Sequence, residues 1–197
     1  MDDELLQTFR FQVSLTLSAS KGPDVEPVDP ARAATDDQRL ADIGFQECSG
    51  LELEADIREY LEGGRNDGVV RRVGRVKLQP LVLKRGMVVT RPQARQPGQP
   101  QQRGQAGQGQ APATVRPELW AWLQDTVVGR LPIRRYDGLV EVKGPTKGSP
   151  VLARWRFIRG LPLKVSGPTL NAKTGEVAIE ELHIAHEGLH LVTKVDK

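Results

Sequence analysis

Residues 9–17, FRFQVSLTL, alternate without a break: Phe9, Phe11, Val13, Leu15 and Leu17 fall on one side, and Arg10, Gln12, Ser14 and Thr16 on the other. A period of two with one apolar face predicts a half-buried antiparallel strand. RVKLQPLVLKRG repeats the alternation in two phases, Val76 and Leu78, then Leu81 and Leu83. It predicts a strand that shifts register at Pro80 through a bulge, or one that lies at a sheet edge. LVEV at 139–142 and VLARWRF at 151–157 predict further strands, the second with Trp155 and Phe157 opposite Arg154 and Arg156. In EVAIEELHIAH the pairs Val177/Ile179 and Leu182/Ile184 keep strand spacing but slip at Glu180–Glu181, which predicts a β-bulge. One segment has another period. RPELWAWLQDTVVG places Pro117 in a first helical turn, Leu119, Trp122, Leu123, Thr126 and Val127 in an apolar stripe, and Gly129 at the stop. The economical arrangement is a mostly antiparallel β domain with one helix covering an open end.

Two stretches do not fit that core. Residues 21–42 hold three prolines and six acidic side chains against three basic ones, the pattern of an extended acidic surface loop. In residues 91–115, Gln, Gly and Pro fill 16 of 25 positions, so the segment has too little apolar area to order itself. The 197 residues are then expected to form a single domain with inserted loops at 21–42 and 91–115.

The net charge is only +3, but it is unevenly spread. From Gly68 to Pro117 there is no acid, while Arg71, Arg72, Arg75, Lys77, Lys84, Arg85, Arg91, Arg95, Arg103 and Arg116 are basic. Such a block fits either a solvated face or a nucleic-acid-binding arm. The 91–115 loop contains no aromatic side chain, so it offers no platform for stacking bases. Cys48 is alone, which rules out an internal disulfide. The acidic start MDDELL is unlike a secretory signal, and no apolar run approaches the ~20 residues that span a bilayer, so a soluble protein made in the cytoplasm is expected.

HEGLH, His186–His190, fits the zinc-protease pattern H-E-x-x-H. That motif needs a helix, so that both imidazoles share a face and the Glu can act as general base. Here the lead-in has strand spacing, and Gly188 would sit in mid-helix. The histidine left over is His183, and after His190 the chain offers only Asp196 as a third ligand. The competing reading places His186 and His190 at the end of a strand. There is no G-x-S-x-G, no phosphate loop and no cysteine with a plausible base. No enzyme activity, catalytic residue, metal or cofactor is expected.

GFQECSGLELEADIREYLEGGRND, GRVKLQPLVLKRG, LWAWL and WRFIRGLPLKVSGPTLNAKTGEVAIEELHIAHEGL together resemble the tail tube proteins of contractile-tailed phages and of bacterial contractile injection systems. The likeness covers most of the chain outside the two loops, in order. Ser49, Gly50 and Leu51 match the family's Ser-Gly-Leu, and Glu59, Tyr60, Glu62, Gly63 and Gly64 match the start of its long hairpin. Leu83, Lys84, Arg85 and Gly86 match the strand before the helix. Trp155, Pro162, Lys164, Gly167, Pro168, Leu170 and Ala172 match the next signature, and Glu180, His186, Glu187 and Gly188 the last. The two loops and the irregular IRRYDGLVEV stretch depart from the family pattern. The resemblance implies a mainly β fold, two packed antiparallel sheets or a flattened barrel with one flanking α-helix. It also implies six-membered rings that stack into a rigid inner tube around a cargo channel. Implied partners are further copies of the chain, sheath, and baseplate or tube-cap proteins, within a phage tail or tail-like particle and without a membrane. A tube-initiating ring at the baseplate, built on the same fold, is the nearest variant.

Overall fold

Strand alternation carries most of the chain into antiparallel β structure. The computed structural model describes residues 6–18, 39–41, 44–61, 63–64, 67–90, 114–146 and 148–192. In chain order the strands are β1 (Phe11–Leu17), β2 (Arg39–Ala41), β3 (Glu47–Ser49), β4 (Leu53–Tyr60), β5 (Val70–Leu78), β6 (Leu81–Gly86), β7 (Val89–Thr90) and β8 (Thr114–Val115). The helix α1 (Glu118–Val127) follows, then β9 (Tyr136–Lys143), β10 (Val151–Ser166), β11 (Ile179–Ala185) and β12 (Gly188–Leu191).

The main sheet has the order β2-β1-β9-β10-β11-β6-β3, with β12 also on β10. The 16-residue β10 joins its halves: residues 151–160 pair with β9, and residues 161–166 with β11. The change occurs where Arg159 takes φ 53 and the β9 register shifts between Phe157 and Gly160. An interruption of this kind bends a strand and raises its twist. Val13, Leu15, Val140 and Phe157 from one half and Leu81, Leu83, Leu182 and Ile184 from the other then meet in a single core. Among the described residues the sheet does not close into a barrel, since β2 and β3 each pair with one neighbour. The open form is the one realised, with the two halves of the bent sheet packed on a common core.

Helix α1 covers this core with Leu119 and Trp122. Trp122 meets Tyr136 edge-on at 4.8 Å and donates its indole N–H to the Arg134 carbonyl at 2.9 Å. The helix ends in a Schellman motif: Gly129, at φ +76, donates to the Thr126 carbonyl and Arg130 to that of Asp125. Pro117 is the N-cap residue, one step before the helical turn expected for it. Val127, counted in the apolar stripe, is 76% exposed at the last turn of the helix.

Three strand expectations need correction. Phe9 lies outside β1 and is exposed, and at the end of β1 Leu17 is exposed while Thr16 is buried. RVKLQPLVLKRG is two strands in different sheets: β5 stops at Leu78, and β6 starts at Leu81. Pro80 has no N–H for a ladder, and its carbonyl faces Gly50, where a Cβ would come within 2.2 Å. The β-bulge expected at Glu180–Glu181 is absent from the β11–β6 ladder, which runs unbroken from Ile179 to Ile184. The inward position out of apolar phase is simply Glu180, buried with a partner.

Strands also take the edges of both segments read as loops. Arg39–Ala41 pairs with β1, and Thr114–Val115 pairs with Val89–Thr90, so the second segment leaves and returns through a short two-stranded stem. The rest of 21–42, apart from 39–41, and residues 91–113 lie outside the described residues, as do Glu62 and Asp196.

Candidate assembly surface

The strands β4 and β5 form a separate two-stranded ribbon. Its register pairs Leu53 with Leu78, Ala55 with Val76 and Ile57 with Val73, which gives one apolar face. The other face carries Glu54, Lys77, Arg58, Arg72 and Tyr60, with Lys77 3.6 Å from Glu54 and the Arg72 guanidinium 4.9 Å over the Tyr60 ring. Leu53, Ile57, Val73 and Val76 are between 57% and 78% exposed. Two strands alone are at best marginally stable in water, and an uncovered apolar face gives them nothing to pack on. Gly63 and Gly64, the latter at φ +91, turn beyond β4 with open space around them. Glu59 pairs with Arg71 at 3.1 Å across the ribbon.

A second cluster lies beneath α1. Arg85 and Glu180 are each 1% exposed, and the Arg85 Nε donates to Glu180 Oε1 at 2.5 Å. The other oxygen of Glu180 accepts the Trp120 indole N–H at 3.0 Å, and Glu118 lies 3.7 Å from Arg85. Gly167 packs against the same Trp120 ring. This pair joins two resemblance residues far apart in sequence and fixes the helix on the sheet. Breaking such a pair leaves an uncompensated buried charge.

Other resemblance positions are placed as follows. Gly50, at φ +82, allows the close approach to Pro80, flanked by Ser49 at the end of β3 and a half-buried Leu51. Lys84 is held by Glu47 at 2.9 Å, and this hydrogen bond raises its pKa. Gly86 ends β6 opposite Ile179. Trp155 packs against the core, while Pro162 and Lys164 lie in β10 opposite Ile184 and His183. Pro168 and the exposed Leu170 and Ala172 follow β10. Glu187 bridges Arg135 at 2.6 Å and Arg159 at 2.7 Å, beside the bend in β10. Gly188 opens β12 where a Cβ would crowd Ile158.

HEGLH is not a helix: β11 ends at Ala185, and β12 begins at Gly188. His186 is buried against Phe157 at 5.9 Å, and His190 is exposed on β12 opposite Arg156. Burial lowers the pKa of His186, with the nearby backbone of Gln79 and Gly188 acting in the opposite direction. Cys48 is a half-buried thiol whose pKa burial raises to about 11, the opposite of a reactive nucleophile.

The family model "T4-like virus tail tube protein gp19" matches residues 7–96 and 110–190. This chain belongs to that tail tube family. No curated protein sequence matches it. Among solved structures, the tube protein is similar to a chain of the anti-feeding prophage baseplate, 6-fold symmetrised, at 18% identity and TM-score 0.62, over 98% of this chain and 97% of that one. It is similar to a chain of the PVC extracellular contractile injection system's sheath-tube complex at 16% identity and TM-score 0.62, over 96% and 93%. A chain of the anti-feeding prophage tube-terminating cap gives 16% and 0.63, over 98% and 95%. At these identities the likeness establishes the shared fold.

The resemblance marked the hairpin by Glu59, Tyr60, Gly63 and Gly64 and passed over its apolar face. The signal was present in LELEADI, where Leu51, Leu53, Ala55 and Ile57 alternate. Trp120, which completes the buried Arg85–Glu180 pair, was hidden because it lies off the apolar stripe of α1.

Proposed function

We propose that this tube protein is a non-enzymatic subunit of the inner tube of a contractile tail or injection system, assembling as six-membered rings that stack around a channel and engage sheath, cap or baseplate partners. The observation that carries this reading is the β4–β5 ribbon, whose apolar face is left uncovered by the described residues of the chain. Similarity to chains from tube, cap and baseplate assemblies supports it. Among the described residues β2 and β3 end the sheet, and such edges offer backbone groups for contacts with neighbours.

Light scattering and negative-stain imaging of the purified chain, at low and at high salt, test the proposal. Rings that lengthen into filaments under both conditions identify a main tube subunit. Rings that never lengthen identify a terminal or initiating ring, whose second face serves an unlike partner. A monomer at every concentration overturns the assembly reading and favours the basic β5 strand and 91–115 loop as a nucleic-acid-binding surface.

A further inference from the structure

The segment that leads into β1 and the turn between β9 and β10 enclose a cleft of about 400 Å³. Leu6 and Gln7 form one side, and Lys143, Pro145, Pro150 and Leu152 the other. Its walls are preformed. The Lys143 N–H donates to the Arg10 carbonyl at 2.9 Å, that of Gly144 to the Pro150 carbonyl at 3.3 Å, and the Ser149 hydroxyl accepts the Thr146 N–H at 3.2 Å. The two prolines remove further backbone freedom, which lowers the ordering cost of binding. Leu6 and Leu152 are 42% and 53% exposed, an apolar pair left in water.

The charge at this cleft has one sign. Lys143 Nζ donates to Gln12 Oε1 at 2.8 Å, and Arg10 Nη1 to the Pro145 carbonyl at 2.9 Å, so among the described residues both cations are held by neutral oxygens. Glu141, the carboxylate two positions before Lys143 on β9, is taken by Arg154 through Nε at 2.9 Å and Nη2 at 2.6 Å. An ammonium has three donors and a guanidinium five, so each cation keeps donors for an incoming acid.

We infer that this cleft docks an acidic, leucine-bearing segment of a partner protein, with the aliphatic side chain between Leu6 and Leu152 and a flanking carboxylate on Lys143 and Arg10. The volume lies at the lower end of the roughly 300–1,000 Å³ of ligand sites, which suits one side chain and its neighbours in sequence. Burying the leucine supplies affinity, and the charge-assisted hydrogen bonds select an acid beside it. A bare anion would leave the apolar walls wet, and an uncharged segment would leave both cations without a carboxylate. The cleft belongs to a single chain, so the inference does not depend on ring formation.

The test uses the full-length protein and a fluorescein-labelled nine-residue peptide, in which leucine stands between two aspartates in a glycine-serine background, read by anisotropy at low salt. A saturable rise is expected, and none with lysines in place of the aspartates. Lys143→Gln and Leu152→Ser should each raise Kd about tenfold, as roughly 1.4 kcal/mol of lost contact requires, at an unchanged thermal midpoint. Leu6→Ser, on the opposite wall, should match Leu152→Ser and separates a lost contact from a misfolded hairpin. Absence of binding to the wild-type chain overturns the inference, as does binding that all three variants retain. Binding that appears only when Asp2→Asn, Asp3→Asn and Glu4→Gln are combined overturns the partner reading in favour of the chain's own acidic start as the occupant. Phosphatidylglycerol vesicles that bind where the peptide does not, and are released by the same variants, overturn it in favour of a lipid surface.

Discussion

The β6–β11 pair and the β4–β5 ribbon are written in the same alternating code and meet opposite fates. In β6 and β11 every second side chain is buried, and even a charge is accepted there because Arg85 and Glu180 neutralise each other. In the ribbon Leu53, Ile57, Val73 and Val76 alternate just as well and remain in water. Periodicity therefore reports that one face is apolar, and the neighbours decide whether it is covered. Gly50 and Pro80 stand at the joint between the two regions.

The largest effect is expected inside the core. Arg85→Ala or Glu180→Ala should each cost about 3–5 kcal/mol of unfolding free energy in urea, since each strands a buried charge. The paired change Arg85→Met with Glu180→Leu should recover most of that loss. Single variants that unfold like wild type would show that the pair is not buried in solution.

The joint comes next. Gly50→Ala forces a Cβ against the Pro80 carbonyl at a left-handed backbone position, and a cost of roughly 2–3 kcal/mol is expected. Gly64→Ala, also at positive φ but in open space, should cost less, about 1 kcal/mol from backbone strain alone. Equal midpoints for the two variants would remove the proposed role of Pro80.

His186 sharpens the contrast through pH. Its pKa is lowered from the ordinary 6.5, so the unfolded chain binds the proton more readily than the folded one. Its contribution is intact above pH 6.5 and is lost as pH falls through the folded value. His186→Met should flatten the drop in thermal midpoint between pH 7 and pH 5.5, whereas His190→Gln, on the exposed strand edge, should not. Parallel pH curves for wild type and His186→Met would refute the assignment.

The smallest effect on folding is expected in the ribbon. Ile57→Ser and Val73→Ser should change monomer stability by only about 0.5 kcal/mol, because both side chains stay more than half exposed on folding, and should still weaken assembly measured by light scattering. A large loss of monomer stability would mean that the ribbon face is covered within one chain.

The sequence by itself determined the strand and helix periods and the length of α1 with its glycine stop. It also carried the family, legible in Ser-Gly-Leu, Leu-Lys-Arg-Gly and the Trp155–Gly188 block. These are local properties, readable because side-chain direction repeats every two or 3.6 residues. Tertiary structure decided the rest. It turned the apparent bulge at Glu180 into a regular strand by supplying Arg85 from 95 positions away, and it split RVKLQPLVLKRG at Pro80 into two sheets. It left one alternating pair of strands without a cover. Each outcome depends on which distant groups share a space, and a pattern read along one chain contains no distance between its parts.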